Sequence, residues 1–190
     1  MTRLLAVVGA MTPPGRLNAA VQHVVDEASA RPAVSASLLN LADYKLSFAD
    51  GRPAERYSDD TPRVIAAVAE ADAVLLASPV YRASFTGALK NLLDLVPVDG
   101  LHGKPVGIVA MGASLHHYLG VDWQLRAVLA WFGALVAPTS VYLDSSYFKD
   151  GKLADPGARA ALGELVTALL ALATCPRERL GPPPLASGRA

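Results

Sequence analysis

The chain alternates between two hydrophobic rhythms. Continuous apolar runs at residues 4–8, 73–77 and 106–110 are too short for independent helices and apolar on both faces, as central strands of a parallel sheet must be. Between them, apolar residues recur at three- and four-residue spacing: Leu17, Val21, Val24, Val25 and Ala28; Val64, Ile65, Val68 and Ala69; Leu89, Leu92, Leu93 and Val96; Leu125, Val128, Leu129 and Phe132. A second strand is expected near residues 34–39, a fifth near 135–143, and a last helix over 158–173, between Asp155-Pro156 and Pro176. Strand and helix therefore alternate, which predicts an α/β fold: a doubly wound, five-stranded parallel sheet with helices on both faces.

Two stretches break the pattern. Residues 40–61 hold aromatic and charged side chains without a sustained period and read as a long connection able to cover a neighbouring subunit. Residues 176–190, with Gly181 and three successive prolines, cannot bury enough apolar area to offset chain entropy. The expected organisation is one domain over 1–175 followed by a disordered proline-rich tail. Residues 3–10 have the outline of a signal-peptide core, but Thr12, Pro13, Pro14 and Gly15 make a turn where a cleavage site would be. A buried first strand and a soluble cytoplasmic protein are expected.

Composition narrows the functions. Basic and acidic side chains number 17 each, so no basic stripe suggests nucleic acid, and no strongly charged face suggests an electron carrier that docks by charge. The single Cys175 cannot form an internal disulfide.

In an open α/β sheet, ligands bind beyond the carboxyl ends of the strands. At that edge Ser78-Pro79 ends the third strand, Val80, Tyr81 and Arg82 follow in an exposed loop, and Thr86-Gly87 opens a helix. A planar aromatic ligand could lie on that loop. Residues 9–16, GAMTPPGR, join the first strand to the first helix, where backbone N–H groups and the helix dipole favour an anion; an ordinary strand-to-helix turn has the same pattern. It is not a nucleotide P-loop, since Arg16-Leu17 stands where Lys and a hydroxyl residue would be required. A third loop, MGASLHH at 111–117, has small residues that let amides approach a ring edge. Adjacent His116 and His117 point to different sides and lack companions at metal-ligand spacing, so no metal is expected. No Ser-His-Asp set or paired catalytic carboxylate can be assembled, which suits chemistry carried by cofactors.

The segments ASPVYRASFTGALKNLLDLVP, GKPVGIVAMGASLHHYLGVDWQLRAVLAWFGA and residues 4–16 together resemble the NADPH-dependent FMN reductase family, flavodoxin-like in fold. The resemblance is strongest to the branch that feeds reduced FMN to monooxygenases in sulfonate assimilation. It implies FMN as flavin and NADPH or NADH as reductant, and a homo-oligomer, either dimer or tetramer. The implied flavin phosphate site is Thr12, Gly15, Arg16 and Leu17. The implied ring site is Pro79, Val80, Tyr81, Arg82 and Ser84 on one loop with Gly112, Ala113, Ser114 and His117 on the other. Arg82 would meet the nicotinamide nucleotide's phosphates, or simply face solvent. The family's phosphate loop is richer in hydroxyl residues; Ala10, Gly15 and Leu17 stand in three such places, which implies modest phosphate affinity. In that branch the helix after the second ring loop carries a π-type turn at a subunit interface, and Trp123 occupies the matching place.

The expected activity is NAD(P)H-dependent reduction of FMN, with reduced FMN passed to a partner monooxygenase. Two alternatives stand beside it: an enzyme that keeps FMN bound and reduces quinones or azo compounds, and a flavodoxin-type electron carrier.

Overall fold

The computed structural model describes residues 1–114 and 117–175. The expected tail at 176–190 lies outside the described residues, as do Leu115 and His116. In chain order the elements are β1 (Thr2–Val8), α1 (Arg16–Ser29), β2 (Val34–Asn40), α2 (Thr61–Glu70), β3 (Ala73–Pro79), α3 (Gly87–Leu95), β4 (Pro105–Met111), α4 (Tyr118–Trp131), β5 (Leu135–Val136), β6 (Val141–Leu143), a hairpin of β7 (Phe148–Lys149) and β8 (Lys152–Leu153), and α5 (Pro156–Leu172).

The main sheet is parallel in the order β2-β1-β3-β4-β5, with β6 also pairing β4. Alternate side chains of each strand enter opposite layers. Leu5, Val7, Val74, Leu76, Val106 and Ile108 pack beneath α2, α3 and α4, whereas Leu4, Ala6, Val8, Leu75, Ala77 and Val109 pack beneath α1 and α5. Both faces are thus covered, which is why the strands read as unbroken apolar runs.

Three features differ from the sequence expectations. The fifth strand is two short pieces, because Pro138 has no N–H for the ladder and the Arg126 guanidinium of α4 takes the carbonyls of Ala137 (3.0 Å) and Pro138 (3.1 Å) at the break. The connection after β2 is not structureless. It holds two 3₁₀ turns, Leu41–Asp43 and Ala54–Arg56, and is pinned by carboxylates. Asp59 accepts from the Ser47 hydroxyl and the Ser47 and Thr61 amides, bonds that hold it well below the usual carboxylate range. Asp50 is lowered to about 2 by Arg52 and then Tyr57.

The third concerns α4, which is α-helical from Tyr118 to Trp131 with no π-type turn. Its two apolar stripes lie on different faces. Val121, Leu125, Leu129 and Phe132 are buried, while Leu119 (47% exposed), Trp123 (75%) and Trp131 (53%) face outward. A core role for Trp123 is thereby removed.

Candidate active site

Three loops converge at the carboxyl edge of β1, β3 and β4, and a chain of buried hydroxyls joins the first two. The Ser78 hydroxyl donates to the Pro79 carbonyl (2.9 Å) and accepts from the Thr86 amide (3.1 Å). The Thr86 hydroxyl caps α3 by accepting from the Leu89 amide (3.1 Å) and donates to the Gly9 carbonyl. Both side chains are buried. The bond from Thr86 to Gly9 spans 77 residues of sequence, so this second role of the residue that opens the helix could not be singled out beforehand.

The first loop, residues 9–17, ends in an α1 that has no side-chain cap at Gly15. Amides of the first helical turn lack intrahelical acceptors, and the helix dipole adds partial positive charge there. Thr12, Gly15 and Arg16 are exposed beside those amides. Leu17 is 6% exposed and packs into the α1–α5 layer, so only its backbone can serve a ligand. The uncapped amides with an adjacent guanidinium fit a phosphate monoester.

The second loop folds into a tight two-residue hairpin. Tyr81 and Ser84 exchange both backbone bonds, at 2.9 and 3.0 Å, and Arg82 and Ala83 between them have φ of 52° and 61°. Non-glycine residues in the left-handed region cost on the order of 1–3 kcal/mol each and persist only when surroundings impose them. Pro79 and Val80 are half-buried; Tyr81, at 51% exposure, and Arg82 project outward. The Val80 amide donates to the Met111 carbonyl (2.8 Å), tying this loop to the third one. Since the Val80, Tyr81, Ser84 and Thr86 amides are all engaged within the protein, this loop offers a ligand mainly surfaces.

The third loop leaves β4 at Met111. The Gly112 amide donates to the Leu143 carbonyl (3.0 Å), so it is not free for a ring. For the Ala113 and Ser114 amides no acceptor is found among the described residues, and these two can meet a flavin's pyrimidine oxygens or nitrogens. The loop is held from behind by Tyr142, whose hydroxyl donates to the Ser114 carbonyl at 2.5 Å. Burial, with the nearby Asp144 carboxylate adding to it, pushes the Tyr142 phenol above its ordinary range and keeps it a neutral donor. Gly112 is required by the same contact, because a Cβ there would lie 1.9 Å from the Tyr142 hydroxyl. His117 is exposed immediately before α4 and gives its ring no cap contact.

All the sequence-predicted site residues thus fall on these three loops, with Leu17 left to act through its backbone N–H, as expected, and a role withdrawn from the Gly112 amide. Ser78, Thr86 and Tyr142 were not anticipated. Two cavities flank the three loops. One of about 330 Å³, mostly apolar, is lined by Met11, Leu41, Tyr44, Phe48 and Gly87 among others. A shallower polar groove runs past Gly15, Arg16, Asn40 and Lys152.

The comparison with known proteins decides the family. The family described as NADPH-dependent FMN reductase matches residues 2–148. The chain belongs to the NADPH-dependent FMN reductase family. It is 37% identical over 164 residues to an NAD(P)H-dependent FAD/FMN reductase of Geobacillus thermodenitrificans, covering 86% of this chain and 89% of that one. Similarity to the NADH-dependent FMN reductase SfnF of Pseudomonas putida is 33% over 155 residues, covering 81% and 83%. Among solved structures, the apo form of the NADH:FMN oxidoreductase EMOB superposes with a TM-score of 0.77 at 24% identity, covering 94% of each chain, and a Pseudomonas aeruginosa flavodoxin variant with 0.59 at 20%, covering 89% of this chain and 99% of the flavodoxin. The fold is flavodoxin-like. As a member of this family the chain is an oxidoreductase whose cofactors are FMN and NAD(P)H. No helix among the described residues is long and apolar enough to cross a membrane.

Proposed function

We propose that this reductase seats the FMN phosphate on the α1 N-terminus, with Thr12, Arg16 and the Gly15, Arg16 and Leu17 backbone as donors. The isoalloxazine ring then lies between loop 79–84 and the Ala113-Ser114 amides. The observation that carries this reading is the convergence, on one sheet edge, of an uncapped helix N-terminus beside Arg16 with a loop bearing two amides that have no acceptor among the described residues. When bound, FMN supplies a hydride-accepting N5, and NAD(P)H supplies the hydride. The chain's residues stack, orient and shield; no side chain is needed as acid or base. His117 stands at the open side of the ring and Arg82 is placed to meet the nicotinamide nucleotide's phosphates.

The same reading makes FMN a substrate that leaves reduced for a partner monooxygenase. The sparse phosphate donors around Ala10, Gly15 and Leu17 support release over permanent retention. Membership in a reductase family argues against a flavodoxin-type carrier. The protein assembles as a homo-oligomer, a dimer or tetramer, through the apolar stripe Leu119, Trp123 and Trp131 on α4, and acts in the cytoplasm. The exposed Leu119, Trp123 and Trp131 offer apolar surface on one helix for such a contact.

Steady-state NADPH and NADH oxidation, with and without added FMN, FAD and riboflavin, tests the proposal. Turnover that requires added FMN, with protein that purifies colourless, supports FMN as substrate. Yellow protein that oxidises NAD(P)H in the presence of a quinone or azo dye alone overturns it in favour of bound prosthetic FMN, the direction suggested by 26% identity to an NADPH azoreductase of a Bacillus strain, which covers 80% of this chain.

A further inference from the structure

Gln124 lies outside the motifs of the site and is exposed on α4, yet its amide engages the first ring loop twice. Its Nε2 donates to the Ala83 carbonyl at 3.1 Å, and its Oε1 accepts from the Ser84 hydroxyl. One turn earlier, Gly120 lets the α4 backbone come close enough for this, since a Cβ at that position would stand 2.7 Å from the Ala83 oxygen. One contact falls on Ala83, which with Arg82 has the left-handed backbone, and the other on Ser84, which closes the turn. A two-residue hairpin with positive φ at both central residues forms readily with Asn-Gly, whereas Arg-Ala has no local reason to adopt it. The conformation has to be imposed from outside, and the Gln124 amide is placed to impose it: it supplies a donor to one residue of the turn and an acceptor to the next.

We propose that Gln124 is a positioning residue for flavin binding. By holding the Tyr81–Ser84 turn in its left-handed form, it fixes where Val80 and Tyr81 meet the flavin ring. Ser84, expected from the sequence to touch flavin, instead spends its hydroxyl on Gln124 and completes the clamp. The proposal rests on the reading of loop 79–84 as the ring seat. A carboxylate could not replace the amide, because it has no donor for the Ala83 carbonyl.

The test is FMN binding by fluorescence quenching with the full-length chain, together with flavin-dependent NADPH oxidation. Gln124→Leu removes both bonds at an exposed position and should raise the FMN dissociation constant roughly tenfold. The KM for FMN should rise with it while kcat at saturating FMN is retained, the pattern of lost uniform binding. Adding Ala83→Gly should restore most of the affinity, since glycine takes positive φ unaided; a merely structural loss would not be repaired in this way. Gln124→Asn, too short to span the gap, provides a second variant should the first not fold. Unchanged FMN affinity in the Gln124 variants, with Tyr81→Asp weakening FMN, overturns the positioning role and leaves the ring seat standing. An affinity loss that Ala83→Gly does not recover also overturns it. If neither the Gln124 variants nor Tyr81→Asp alters FMN binding, loop 79–84 is not the ring seat and both readings fall.

Discussion

The Thr86 hydroxyl is hydrogen-bonded to the Gly9 carbonyl across 77 residues of sequence, so the cap of α3 also anchors the loop that leads to the phosphate site. One side chain thereby serves helix stability and loop placement together. Thr86→Val keeps the shape but leaves the Gly9 carbonyl and the Leu89 amide without this partner in a buried place. It should cost about 2 kcal/mol of folding stability in urea titration. Thr86→Ser should recover most of that.

Arg16 is the cation beside the uncapped turn of α1. Arg16→Ala should weaken FMN binding by roughly 1–3 kcal/mol, as loss of a charge-assisted contact does, and leave riboflavin affinity unchanged. Fluorescence quenching with the two flavins in parallel gives the comparison. Equal losses for both would place the phosphate elsewhere.

At Gly112 the constraint is steric. Gly112→Ala must displace the Tyr142 hydroxyl, and the accompanying shift of the Ala113-Ser114 amides should cost roughly 1–3 kcal/mol in stability as overpacking does. Combining it with Tyr142→Phe removes the clashing oxygen, and thermal denaturation of the pair should show less than the sum of the two single losses.

Trp123 is too exposed for its truncation to empty a core. Trp123→Ala should therefore change monomer stability by less than about 1 kcal/mol, against about 3–5 for a buried Trp. Light scattering at micromolar concentration should show the assembly dissociating toward the 19.8 kDa chain. A variant that keeps its mass in solution would clear the α4 stripe of an assembly role.

How much of this was legible beforehand follows from the range of each interaction. Strands such as 73–77 and helices such as the one after Thr86 show themselves locally, because burial on two faces and a three-to-four-residue period are written in consecutive residues. The position of the site follows from strand order, once the ends of β1, β3 and β4 are known to be neighbours. Gln124, Ser78 and Tyr142 were not legible: a polar side chain acquires a role only when folding supplies its partner, and theirs are Ala83, Thr86 and Ser114. Nor was the break between Val136 and Val141, where Pro138 was visible but Arg126 was not yet beside it. Gly112 illustrates the reverse error, since a residue at a binding position in sequence can give its amide to the fold, here to the Leu143 carbonyl.

The engaged amides of Val80, Tyr81, Ser84 and Thr86 have a thermodynamic consequence. A loop held by four such bonds pays little ordering entropy when a ligand arrives, and it need not come apart when that ligand departs. Neither arrival nor departure is then gated by a slow loop rearrangement. On the proposal that FMN leaves after each reduction, a stiff seat with few directed bonds is better suited than a flexible one that closes over its guest.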